Sequence, residues 1–190
     1  MSFLDTKKIK ISDVTVEDNT AYFQTKSLSG KYQKRVVGPQ FFSLKFTANW
    51  MSDDISDVKR FIAEHKFNTP FEFPMSYFTQ FNGVASSVVS SQKVNKGSRL
   101  IPLGSFIGTL PAGTVVQFQN HSKLYTITEA IIGGENATAK IFPALYQDVN
   151  QGEKVNYQNV KGKFVLTNEK FTFPVSAIGK FTFTALEYIL

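Results

Sequence analysis

The chain's imidazoles are His65 and His121, and it contains no cysteine. Without thiols neither a disulfide framework nor a thiolate metal site is available. The two histidines fall in different expected elements, and no carboxylates are spaced to complete a zinc site with either. His121 is expected at the surface, in the turn Asn120-His121-Ser122 between two strands. His65 is expected near the end of a helix, where it suits the negative end of the dipole or packs at the rim of the core. Gly97, Gly104, Gly108 and Gly113 are scattered, and no Gly-Lys-Ser or Gly-Lys-Thr follows to make a phosphate-cradling loop. A Gly-x-Ser-x-Gly elbow is absent, and a Ser/His/Asp set can be assembled only from distant residues. The expectation is therefore no catalytic, cofactor-binding or metal-binding residues, no cofactor, and no enzyme.

Binding chemistry has two candidates. Lys31-Tyr32-Gln33-Lys34-Arg35 mixes cations with an aromatic ring, and a net charge of +6 would suit nucleic acid or another anionic surface. Asp5, Asp13, Glu17 and Asp18 lie close by and the basic residues form no long run, which favours an exposed edge strand guarded by charge. Asn136-Ala137-Thr138 fits a glycosylation acceptor, but no secretory leader is visible, so it is taken as the start of a strand after a turn. Residues 2–10 are polar, which places synthesis in a cytoplasm, and no apolar run approaches the ~20 residues that span a bilayer.

The elements that would position these groups are mostly strands. Phenylalanine occurs 19 times in 190 residues, a composition for aromatic strands rather than leucine helices. Residues 99–145 read as short strands at 114–119, 123–130 and 137–142, separated by Pro111-Ala112-Gly113, Asn120-His121-Ser122 and Gly133-Gly134-Glu135-Asn136. Such closely spaced hairpins fit a small barrel or sandwich.

Earlier in the chain, residues 7–16 alternate weakly, Glu17-Asp18-Asn19 reads as a turn, and 21–28 make a second strand closed by Ser29-Gly30. From 40 to 50 the alternation is clean: Phe42, Leu44, Phe46, Ala48 and Trp50 on one face, Ser43, Lys45, Thr47 and Asn49 on the other. Ser52 then supplies a capping hydroxyl and Asp53 and Asp54 favour the helix dipole, predicting one amphipathic helix over 53–66. Phe71, Phe73 and Met75 form a short strand that Pro74 confines to an edge. The small, polar run around 82–91 marks the passage to a second domain. Strand candidates return at 163–166, 171–174 and 180–184, and their Phe-Thr-Phe pattern matches Phe71-Glu72-Phe73. The C-terminal strands are thus expected to pair with the N-terminal ones. Residues 1–85 and 161–190 would form one domain and 86–160 an inserted one.

In this order of elements, and above all in LPAGTVVQFQNHSKLYTITEA followed by TAKIFPAL, the chain resembles the distal tail proteins of tailed bacteriophages. The resemblance spans essentially the whole chain and rests on structural rather than catalytic motifs. It implies a mainly β protein: a tail-tube-like β-sandwich with one α-helix, carrying an inserted Greek-key barrel of the oligonucleotide/oligosaccharide-binding type. It further implies a homo-hexameric ring at the tail tip that joins the tube protein to baseplate hub or fibre proteins. Phage DNA would pass through the lumen without sequence-specific binding, and nothing would insert into a membrane. The competing expectations are a nucleic-acid-binding barrel, with Phe118 and Tyr125 as its outward aromatics, and a carbohydrate-binding baseplate accessory.

Overall fold

The computed structural model describes residues 4, 7–79, 81, 83–174 and 176–189. It is mainly β with one α-helix. Contacts divide the chain into two compact units: an outer one, from the N-terminal segment up to Pro70 with Phe164–Glu187, and an inserted one built on Phe71–Lys163. The segment 86–160 lies within the inserted unit.

In chain order, β1 (Lys10–Lys26) and β2 (Tyr32–Met51) form one long antiparallel hairpin, followed by α1 (Ile55–His65) and the short β3 (Phe71–Pro74). Then come β4 (Val88–Val89), β5 (Leu100–Pro102), β6 (Thr109–Leu110) and β7 (Val115–Phe118). They are followed by β8 (Tyr125–Ile127), β9 (Ile131–Ile132), β10 (Thr138–Phe142) and β11 (Lys154–Asn156). The chain closes with β12 (Lys161–Leu166) and β13 (Ile178–Glu187).

One sheet has the order β1-β2-β13-β12-β3, so the C-terminal β13 pairs with β2 as the Phe-Thr-Phe pattern implies. Phe42, Leu44, Phe46, Ala48 and Trp50 are all buried, as their period-two spacing requires. Phe46 stacks on Phe183 with ring centroids 5.1 Å apart, and Phe61 of α1 meets Phe183 edge-on at 5.6 Å. That contact seats the buried face of α1, made by Val58, Phe61, Ile62 and His65. The start of α1 differs from expectation. Ser52–Asp54 form a 3-10 turn, and the Ser52 hydroxyl donates to the Asp53 carboxylate (3.3 Å) instead of capping the helix. Asp57, in the first turn, is held by Lys8 (3.5 Å) and Arg60 (3.1 Å).

Two strand expectations are corrected. Glu17-Asp18-Asn19 is not a turn, because β1 runs straight through it opposite β2. Its polar side chains bond across the ladder: the Ser43 hydroxyl donates to Glu17 (3.1 Å) and Gln40 Nε2 to Asp18 (2.7 Å). Residues 171–174 are not a strand. Phe171 instead packs its ring against Phe181 (5.5 Å) and Phe183 (6.4 Å), and Pro174 has no N–H to give a ladder.

In the inserted unit the strands form a curled, barrel-like sheet of order β4-β11-β7-β8-β10-β5, with β6 and β9 as a separate pair. Its core includes Val116, Phe118, Tyr125, Ile127, Ile141 and Val155. Gly108 permits the tightest approach, since its φ is +108° and an added Cβ would run into the Val84 carbonyl.

Candidate functional site: an exposed hairpin

Every residue from 21 to 37 is exposed, although β1 and β2 continue through this stretch. The β13 strand covers β2 only from Ser43 to Met51, so beyond it the two strands have each other and no third strand partner among the described residues. At about 3.3 Å per residue the part of β2 beyond that cover, Tyr32–Phe42, extends the hairpin by roughly 35 Å. Its joint with the covered sheet is irregular. The register slips between Thr20 and Tyr22, and Gly38 lets the strands close where a Cβ would meet that of Ala21 at 2.9 Å. At the tip, Gly30 adopts a φ of +82° and donates to the Ser27 carbonyl (2.9 Å), while Ser27 N–H donates to Lys31 O (2.9 Å).

Cross-strand pairing assigns the side chains to two faces. Tyr22 opposite Val36, Gln24 opposite Lys34 and Lys26 opposite Tyr32 make one; Phe23 opposite Arg35 and Thr25 opposite Gln33 make the other. On the first face Lys34 lies 4.6 Å from the Tyr22 ring centroid and Lys26 5.3 Å from that of Tyr32. Tyr22, Phe23, Leu28, Tyr32, Val36 and Val37 are each half or more exposed, so both faces present large apolar side chains to solvent. No acid stands between Asp18 and Asp53, and Lys26, Lys31, Lys34 and Arg35 concentrate positive charge here. A solitary two-stranded ribbon of this length is marginal in water, and its apolar side chains gain only when another surface covers them.

The basic-aromatic run is thus on an exposed strand, as its charge pattern implies, but on a projecting ribbon. Tyr22, Phe23, Val36 and Val37 were not singled out from sequence. The available signal was that large side chains occupy both parities of 21–28 and 32–37, which no half-buried strand allows.

His121 is not a surface residue. It is buried among Tyr125, Asp148 and Glu153. Tyr146 N–H donates to the Tyr125 hydroxyl (3.1 Å), whose own hydrogen serves His121 Nδ1 (3.1 Å). His121 Nε2–H then donates to the Asp148 carbonyl (3.3 Å), and Nε2 lies 3.9 Å from Glu153. Glu153, also buried, accepts backbone N–H bonds from Asn120 and Asn150, both at 3.0 Å, tying two turns together. Burial pushes the His121 pKa below its ordinary value, against the opposing pull of the Asp148 carbonyl and Glu153. The group is a hydrogen-bonded polar plug in the inserted unit. His65 is likewise buried, its Nδ1–H donating to the Thr69 carbonyl at 3.0 Å. Phe118 and Tyr125 face the core rather than solvent.

Among the described residues no group of His, Asp and Glu is placed to hold a metal ion, and no helix is long and apolar enough to cross a membrane. No known protein family and no curated protein matches the chain.

Proposed function

We propose that the chain is a structural subunit of a ring at the distal end of a bacteriophage tail, joining the tail tube to the baseplate or central fibre. The observation that carries this reading is the hairpin over 21–37, which presents large apolar side chains on both faces that no described residue covers. A projecting element that docks on a different patch of an identical neighbour makes a heterologous contact, and such contacts close into rings when the rotation allows. The resemblance of the sequence to the distal tail proteins supports the same reading, since a mainly β unit with one helix and an inserted barrel-like unit is what that resemblance leads one to expect. In this reading the ring is a hexamer, its partners are the tube protein and hub or fibre proteins, and DNA passes through its lumen. A nucleic-acid-binding barrel is less well supported, because Phe118 and Tyr125, the aromatics available for stacking, are buried.

The experiment is native mass spectrometry with negative-stain imaging of the full chain and of a variant in which 22–36 is replaced by a two-residue Asn-Gly turn. The full chain should form a closed ring on concentration and the shortened one should stay monomeric with the same melting temperature. Monomers alone from the full chain at high concentration, with no ring in tail preparations, would remove the reading.

A further inference from the structure

On the inserted unit an open recess of about 420 Å³ is lined by the carboxamides of Gln117, Gln119, Asn156, Gln158 and Asn159, with Glu72, Lys161 and Lys163 along its wall. Strand pairing explains the convergence. In the β7–β11 ladder Phe118 stands opposite Val155 and Gln117 opposite Asn156. The first pair is buried in the core, so the second lies on the outer face of the same two strands. Asn159, at a φ of +50°, turns the chain after β11, a conformation asparagine tolerates better than most residues.

These amides are open for binding. Gln117 is oriented by the turn beside it, its Nε2 donating to the carbonyls of His121 (3.1 Å) and Ser122 (3.4 Å), while its own carbonyl oxygen has no protein donor among the described residues. The side chains of Gln119, Asn156, Gln158 and Asn159 hydrogen-bond to no protein group there either. Those four carboxamides each present a donor and an acceptor side by side, and Gln117 adds an acceptor oxygen. Charge is nearly balanced in contrast, because Lys161 is paired with Glu72 at 3.4 Å, leaving Lys163 as the unpaired cation among the described lining residues.

We propose that this recess binds a neutral polyhydroxylated ligand, a hexopyranose unit of a glycan, whose neighbouring hydroxyls each give and take a hydrogen bond with the carboxamides. A phosphate would call for Arg forks or several free cations, and a single-stranded nucleic acid for aromatic platforms along a basic groove. The recess has neither. The proposal rests on the recess alone and is independent of ring formation.

The test is a ¹H–¹⁵N correlation spectrum of the full chain, in which side-chain NH₂ groups are directly visible. It is titrated with methyl α-glucopyranoside, methyl α-galactopyranoside and N-acetylglucosamine up to about 100 mM, because an open polar recess holds a single sugar with a Kd on the order of 1 mM. At least one sugar should shift the NH₂ signals of Gln117, Asn156 and Gln158 saturably. Asn156→Ala combined with Gln158→Ala should abolish the shift while leaving the core backbone signals in place. Signals that stay still with all three sugars, or move equally in the doubly substituted chain, overturn the proposal. So do signals that respond to inorganic phosphate or a dT oligonucleotide in preference to the sugars.

Discussion

The indole of Trp50 occupies the space that a side chain at Gly179, its partner across the β2–β13 ladder, would fill. The sheet accommodates its one tryptophan by leaving the opposite position bare. Gly179→Ala should therefore displace the ring and destabilise the outer unit by about 1–3 kcal/mol, the usual cost of overpacking. Trp50→Ala should cost more, ~3–5 kcal/mol, whereas Lys45→Ala on the exposed face should stay within about 0.5 kcal/mol. Denaturant melts of the three variants check the order. The native tryptophan emission should be blue-shifted and poorly quenched by iodide.

A pH dependence follows from His121. Its pKa is lowered in the folded chain, chiefly by burial, from an unfolded value of 6.5. In the window below 6.5 the unfolded state therefore binds the proton first. Stability is fully present above that window and falls as the pH drops through it, by at most about 1.4 kcal/mol per pH unit for one proton. Urea midpoints of the full chain, read from core signals of the inserted unit at neutral and mildly acidic pH, should show this slope. His121→Asn should flatten it.

Two glycines with positive φ should respond differently to the same substitution. Gly97→Ala, at φ +89° with open space around the added carbon, pays only backbone strain of about 1 kcal/mol. Gly108→Ala, at φ +108°, adds a collision with the Val84 carbonyl and should exceed that by several-fold in ΔΔG. Equal melting temperatures for the two would show that the segments bridged at Ala85 and Gly108 can move apart.

On the hairpin, Tyr22→Asp and Phe23→Asp test the two faces separately. Both residues are exposed, so each change should leave stability within about 0.5 kcal/mol. Analytical ultracentrifugation should show weaker self-association for both if each face is covered by a neighbour. Unchanged association in both variants would sink a role for the ribbon in assembly.

Local sequence carried much of this fold. The alternation from Phe42 to Trp50 is the buried face of β2, and Ile55 to His65 is the helix, because each pattern answers to one period and one core. The turn reading at Glu17-Asp18-Asn19 failed because composition cannot register a partner strand, and Ser43 and Gln40, which satisfy those polar groups, lie more than a turn's reach away in sequence. His121 was misplaced for the same reason: Glu153 and Asp148, which close over it, come from a later segment. The exposure of the ribbon depends on where β13 stops, and the Phe-Thr-Phe pattern says which strand pairs but not how far.

The ladder that joins Met51 to Ile178 has a temporal meaning for a chain made from its N-terminus. When β2 leaves the ribosome its neighbour β13 does not yet exist, and the Phe71–Lys163 stretch of the inserted unit must be synthesised before that neighbour arrives. The inserted unit, whose ladders β7–β8 and β8–β10 link nearby residues, can close while Phe42, Leu44 and Phe46 are still waiting for their cover. The sheet of the outer unit thus cannot be completed until β13 has been made. The interval between the two events is when a nascent chain has an apolar strand face that a chaperone, or another unfinished copy, can seize.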